Sequence, residues 1–174
     1  MIITVSREIP WFKGYFANND GSITKPNGQK TFGCHNKKIG RHIVKIDYKP
    51  YYVNRLVGSA WVENPRPDIF HMVDHINRNE IDNRPENVRW VNCTLNALNN
   101  GGLNCCFDKD AGNVDVKGKW KAHCRIRGVN KSLGRFKTFL EGFRVGQAAK
   151  RAEFARLYAE LTANATPCQV SVRR

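Results

Sequence analysis

The sequence has no apolar run approaching the roughly 18 residues that a membrane-spanning helix needs, so neither a transmembrane segment nor a membrane partner is expected. Met1–Ile9 contains no apolar core of signal-peptide length, and no secretory leader is expected either. Six cysteines are present, at 34, 93, 105, 106, 124 and 168, but no two form a C-x-x-C pair. That spacing marks the common zinc knuckles, and without a secretory signal a disulfide framework is not expected. A zinc site drawing on Cys105, Cys106 or Cys124 would have to form without paired ligands. Acidic residues are also scarce: Asp and Glu number 15 against 29 Lys and Arg, a net charge of +14. Charge that only aids solubility would give the same count. Yet strongly basic domains are the usual electrostatic footprint of nucleic-acid binding, so the expected partner is an extended polyanion.

A chain of 174 residues suits one domain or two very small ones. Hydrophobic residues at 41% and charged residues at 25% are ordinary for a globular chain. Three regions can be read. From Met1 to about Pro50, short alternating segments are broken by turn signals such as Asn19-Asp20-Gly21 and Pro26-Asn27-Gly28, which predicts a small sheet with long loops. From Tyr51 to about Asn100, Val53–Trp61 has apolar residues at helical spacing. Met72–His75 and Val88–Val91 read as short strands around a polar loop, and Thr94–Asn99 starts a helix with Asn92 or Thr94 as its N-cap. From Gly101 onward, Trp120–Arg127 alternates with period two, Gly128-Val129-Asn130 makes a turn, and Lys131–Phe136 returns. Thr138 should cap a helix from Phe139 or Leu140 to about Leu161, with Val145, Ala148, Ala149, Ala152, Ala155 and Ala159 on its apolar face. The tail from Thr162 reads as loose. Residues 101–174 hold 15 basic and 6 acidic residues, against 14 and 9 in residues 1–100, so the shorter part carries more of the excess charge.

One segment carries chemistry. Cleaving a phosphodiester needs an activated water and stabilisation of charge on the phosphate and the leaving oxygen. A carboxylate and an amide oxygen are hard ligands suited to Mg²⁺ or Mn²⁺, and Asp74 and Asn96 supply that pair. An imidazole beside them, His75, can accept the proton of water near neutral pH. Adjacent strand residues point to opposite faces, so Asp74 and His75 must sit at a strand end for both to serve one site. Asp-His alone is a weak signal, more often ordinary surface.

The whole segment is more specific. Asp74-His75, a polar loop ending in Pro85-Glu86-Asn87 before Val88-Arg89-Trp90-Val91, and a helix bearing Asn96 resemble the HNH endonuclease motif of phage and intron homing enzymes. That resemblance implies a ββα-metal unit, with Asp74 and Asn96 on the metal, His75 as general base, and Asn87 bracing the loop and orienting His75. Val53-Asn54-Arg55-Leu56-Val57 is similar to the helix before the motif, with Asn54 where the family writes His, and Arg55 becomes a phosphate-contact candidate. Its alternative is a pairing with a nearby acid. Arg89 and Trp90 are expected to hold the unit together. Asn99 and Asn100 share the helix face of Asn96, and either is an alternative ligand.

A second resemblance covers about Leu103–Leu161. Trp120-Lys121-Ala122, Leu133-Gly134-Arg135-Phe136 and the Ala-rich helix are similar to the ethylene-response-factor type of DNA-binding domain, a three-stranded sheet with one helix behind it. The family's usual aromatic on the returning strand is Ser132 here. If Trp120, Ala122, Cys124 and Ile126 face the helix, then Lys121, His123, Arg125 and Arg127 face outward, joined by Arg135, and such a row can read a major groove. Its bland alternative is a solvated strand face. The expectation is an α+β fold in two parts: residues 1–100, with a ββα-metal core at about 51–100 behind a sheet-rich N-terminal region, and a DNA-binding module at 101–174 whose three-stranded sheet packs on one helix. The expected activity is divalent-metal-dependent cleavage of double-stranded DNA by a monomer in the cytoplasm, that of the host if phage-encoded. The rivals are a DNA-binding regulator with a degenerate nuclease core, and an RNA-binding or structural phage protein.

Overall fold

A computed structural model of the chain describes residues 4–107 and 120–163. Within them lie twelve strands and three α-helices. They are β1 (Ser6–Glu8), β2 (Phe16–Asn18), β3 (Ile23–Thr24), β4 (Lys30–Thr31), β5 (Cys34–Asn36), β6 (Arg41–Ile46), β7 (Lys49–Tyr52), α1 (Val53–Trp61), β8 (Met72–His75), β9 (Val88–Val91), α2 (Cys93–Asn99), β10 (Cys105–Phe107), β11 (Trp120–Ile126), β12 (Val129–Phe136) and α3 (Phe139–Ala163). The fold is α+β, with every strand pairing antiparallel. The chain divides into two compact units, Met1–Asn96 and Ala97–Arg174, the division falling inside α2. Most of the tail, from Asn164, and with it Cys168, lies outside the described residues, as do Gly118 and Lys119.

The first unit holds more sheet than its sequence periodicity predicts. β1–β4 form one meander and β5–β7 a second sheet. Strands of two or three residues are too short to display alternation, so within these two sheets only β6, whose His42–Ile46 reads as a strand, is legible in the sequence. α1 follows β7 directly and covers the expected residues. Val53, Leu56 and Val57 are buried at i, i+3 and i+4, with Ala60 and Trp61 completing the stripe against the same core. That core joins Ile9, Ala17 and Ile23 of the meander, Val44 and Ile46 of β6, and Val73 and Val88 of the β8–β9 hairpin. Two indoles fasten it by polar bonds: Trp61 Nε1 donates to Ala17 O at 2.9 Å and Trp90 Nε1 to Val62 O at 2.9 Å. The hairpin therefore rests on a scaffold built by the N-terminal sheets and α1.

In the second unit the sheet order is β10–β11–β12, with α3 packed on all three strands. Thr138 and Glu141 form a reciprocal capping box: Thr138 N donates to Glu141 Oε2 at 3.1 Å and Glu141 N to Thr138 Oγ1 at 3.3 Å. The face that α3 buries differs from the expected one. Gly142, Gly146, Gln147 and Glu153 are buried, while Ala148, Ala152, Ala155 and Ala159 are exposed. Glycine makes that packing close. A Cβ on Gly142 would lie 2.6 Å from Cys105 Sγ, and one on Gly146 would lie 2.7 Å from Asn104 O. The turn also differs. Ile126 pairs with Val129, leaving Arg127 and Gly128, at φ 49° and 78°, as a two-residue turn. Positive φ at both positions is the primed hairpin geometry that matches strand twist.

Candidate functional site

β8 ends at His75, so Asp74 and His75 occupy the strand end that a shared site requires. Both are buried, at 6% and 3% exposure, which is rare for groups that can carry charge and demands partners. Asp74 finds one directly across the hairpin, where Arg89 is its register partner. Arg89 Nε and Nη2 both reach Asp74 Oδ2, at 3.1 and 3.0 Å. The guanidinium thus offsets the charge of the buried carboxylate, in the holding role expected of it.

Four asparagines, Asn77, Asn79, Asn83 and Asn87, together with the Asp82–Arg84 pair, hold the loop between the strands. Asn87 Oδ1 accepts from Asn77 N at 3.0 Å and its Nδ2 donates to Asp82 O at 2.7 Å, while Ile76 N donates to Asn87 O at 2.8 Å. Asn87 therefore staples the loop's start to its end. The ring Nε2 of His75 lies 3.1 Å from Asn83 Oδ1, and Asn83 Nδ2 donates to Ile81 O at 3.3 Å, which fixes the amide's orientation. Sequence reasoning missed Asn83. It sits eight residues from His75 in a stretch with no periodicity, and only closure of the loop brings the two together. Closure is helped from outside. Gly21, at φ 83°, approaches so closely that a Cβ there would stand 2.7 Å from the carbonyl carbon of Asn83. Within the loop, hydrogen bonds and charge from Arg84 hold the Asp82 carboxyl down to about 2.

Asn54 is the other residue the sequence left without a role. It is buried in α1 and donates from Nδ2 to Val73 O at 3.0 Å, tying the helix to the backbone beside Asp74. Arg55, its neighbour, is exposed. Asn92, of the two expected candidates, caps α2, its Oδ1 accepting from Leu95 N at 2.9 Å. Asn96 lies half-buried in α2, the helix that follows β9. α2 ends at Asn99, so Asn100 stands outside the helix whose face it was expected to share, and its carbonyl accepts from Lys150 Nζ at 2.5 Å.

Among the described residues, no three His, Cys, Asp or Glu side chains come together to hold a metal ion. An ion at Asp74 would need amide oxygens or water besides, and hard divalent cations accept such a donor set. A soft metal is a poorer match at the cysteines. Cys105 pairs with Ala122 and is buried toward α3, whereas Cys106, one residue on, pairs with Lys121 and is exposed. The two thiols thus point to opposite faces. Burial pushes the thiols of Cys105 and Cys124 up.

On the second unit, Trp120, Ala122, Cys124 and Ile126 turn inward, while Lys121, His123 and Arg125 are exposed on the opposite face of β11. Lys121 lies directly across from Arg135, two like charges in one cross-strand pair. Such a pair is unfavourable in an isolated sheet and favourable against an anion. Arg127 departs from the strand reading. It is the first turn residue, exposed, with its backbone N–H donating to Glu153 Oε1 at 2.7 Å. A bulge between Ala122 and His123 shifts the register so that His123 faces Ser132.

No family model matches the chain. Two curated relatives, both uncharacterized HNH endonucleases of Acanthamoeba polyphaga mimivirus, are 31% identical over 97 residues and 26% identical over 125. The matches cover 52% and 68% of this chain but only 24% and 37% of those relatives. A solved structure, described as DNA binding and cleavage by the HNH homing endonuclease I-HmuI, aligns at 26% identity over 55% of this chain and 56% of its own, with a TM-score of 0.47. Over half to two thirds of its length, this α+β chain is similar to curated HNH endonucleases.

Proposed function

We propose that the protein is a divalent-metal-dependent endonuclease of the homing type that cuts double-stranded DNA. The observation that carries the reading is a buried Asp74-His75 at the end of β8, each side chain held by a partner, on a hairpin that α2 follows with Asn96. The donor set is hard, a carboxylate with an amide, and fits Mg²⁺ or Mn²⁺. Asp74 and Asn96 would hold the ion. Bound there, it would supply charge stabilisation for the phosphate and the leaving 3′ oxygen.

The protein's own residues do the rest. His75, with Nε2 set against Asn83, takes a proton from the attacking water. Asn87 keeps the loop closed, so that Asn83 and His75 stay in register. Arg89 keeps Asp74 pointing across the hairpin. Arg55 meets a phosphate. The ethylene-response-factor-like sheet lies on DNA through Lys121, His123, Arg125 and Arg135, with Arg127 at its turn, and the net charge of +14 supplies the sequence-independent grip. The test is a nicking assay on supercoiled plasmid with and without Mg²⁺ or Mn²⁺. Metal-dependent cleavage that disappears in His75→Ala supports the reading. DNA binding without cleavage under any divalent metal would make the protein a regulator instead.

A further inference from the structure

Two turns of the first unit break the same local rule. Phe12 N donates to Ile9 O at 3.1 Å, closing a turn with Pro10 at its second position and Trp11 at its third, where φ is 67°. Pro followed by a positive φ is the type II turn, whose third position belongs to glycine or asparagine. Between β6 and β7, Ile46 pairs with Lys49, so Asp47 and Tyr48 form a two-residue turn with φ of 48° and 63°. There too the second position is one that glycine favours. A bulky side chain in the left-handed region costs free energy, and such positions are found where function retains them.

Neither aromatic recovers that cost by packing. Trp11 is 88% exposed and Tyr48 is 97% exposed. By contrast, Trp61 and Trp90 are half-buried with their indole N–H groups bonded. Lys13 lines one surface cleft with Trp11 and Glu8, and along the chain Tyr48 lies between exposed Asp47 and exposed Lys49, with exposed Lys45 three residues before it. The charge follows the same map. Residues 1–50 hold 9 basic and 3 acidic residues, whereas residues 51–100, which carry the candidate site, hold 5 and 6. The N-terminal sheets are thus a second basic region, separated in sequence from the C-terminal one by a segment of nearly balanced charge.

We propose that Trp11 is a base-stacking site, with Tyr48 as its counterpart on the β5–β7 sheet. An aromatic ring beside lysine matches the two faces of a nucleotide: the ring takes a base, the ammonium its phosphate. Base faces become reachable where a duplex is unpaired or kinked, so the ligand is DNA with exposed bases rather than regular duplex. The rings have shed core packing and adopted strained turns in exchange for full presentation. This inference rests on the DNA reading given under the proposed function.

The position itself supplies a clean variant. At φ 67° glycine is better suited than tryptophan, so Trp11→Gly should fold with unchanged or higher thermal stability. Full-length protein and Trp11→Gly are titrated, without divalent metal, into a labelled duplex and into the same duplex carrying a central mismatch bubble. Trp11→Gly is expected to lose roughly five- to a hundred-fold in affinity for the bubble, the contribution of one stacked base, and much less for the duplex. The bubble should also quench tryptophan emission in the native protein more than in the variant. Equal affinity of variant and native protein for the bubble would overturn the proposal, as would an equal loss on both DNAs, which would make Trp11 a general groove contact. Failure of the native protein to bind either DNA would instead overturn the DNA reading.

Discussion

The β8–β9 hairpin and the β10–β12 sheet use charge in opposite ways. On the hairpin the candidate site residues are buried and individually held: Asp74 by Arg89, His75 by Asn83. On the sheet Lys121, His123, Arg125 and Arg135 are exposed, and Lys121 faces Arg135 with like charge. Chemistry on a phosphate needs groups fixed to a fraction of an ångström, and burial with a partner supplies that fixity. Grip on a polyanion needs charge that counterions can leave, and exposure supplies it. The comparison implies that damage to the hairpin should appear in rate, and damage to the sheet in affinity.

The largest effect should come from the hairpin. His75→Ala is expected to lower cleavage by about 10²–10⁴ while leaving DNA affinity unchanged, because the role proposed for the imidazole is to move a proton rather than to hold DNA. Single-turnover rates beside a binding isotherm check this, and a near-native rate would remove His75 from the chemistry. Asp74→Ala and Asn96→Ala should each raise the metal concentration needed for half-maximal rate. If the two act at one site, the double variant should lose far less than the product of the single losses. A fully multiplicative loss would separate Asn96 from Asp74 and move the ligand role toward Asn99.

How much of this could be read from the chain differs between the two regions for physical reasons. α1 was legible to the residue because Val53, Leu56, Val57, Ala60 and Trp61 repeat at helical spacing and all meet one core. The strand end at His75 was legible because the chemistry demanded it. Asn83 was not, since its partnership with His75 exists only once the loop has closed. The alanine stripe of α3 misled because small apolar residues at helical spacing mimic a core face. The helix packs through Gly142 and Gly146, where the approach to β10 is too close for any side chain. The turn at Arg127-Gly128 was hidden because arginine gives no sign of a positive φ.

Gly142→Ala sharpens the contrast from the side of stability. The new methyl would meet Cys105 Sγ at 2.6 Å, so the helix must shift or the thiol must move, at a cost of about 1–3 kcal/mol. Thermal or urea denaturation should show that loss, and DNA affinity should weaken with it while the hairpin's chemistry persists once DNA is bound. Ala152→Gly, on the exposed side, should cost less, about 0.5–1 kcal/mol from helix propensity alone. Equal losses would mean that α3 buries its alanine face after all.

Glu153 gives a smaller, pH-dependent effect. It is buried in α3, where hydrogen bonds from Arg156, foremost, and from the backbone of Arg127 hold its carboxyl at about 2, below the usual 4.5. A carboxyl depressed in the folded state contributes stability that is present above its unfolded value. That contribution should therefore be lost as pH falls from about 4.5 toward about 2. Glu153→Gln should flatten this part of the stability profile of the second unit. An unaltered profile would show that the tie between Glu153 and the turn contributes no net stability.

The finest test lies between two arginines two residues apart. Arg125 is exposed on β11, and its Nε donates to Gly128 O at 2.9 Å, which holds the guanidinium along the hairpin. Arg127 is in the turn, with its backbone rather than its side chain fastened, by Glu153. A held guanidinium at a defined strand position can meet one base edge repeatedly, whereas a side chain leaving a turn has the freedom to follow the phosphates. Arg125→Ala should therefore cost about 1–3 kcal/mol at one base position of the target and little elsewhere. Arg127→Ala should weaken all sequences alike and lower the slope of log affinity against log salt by about 0.9, the share of one phosphate. Binding measured across a randomised target library at two salt concentrations distinguishes them. If Arg127→Ala alters base preference and Arg125→Ala does not, the reading element is the turn rather than the strand face, and the sheet would then approach DNA by its hairpin end.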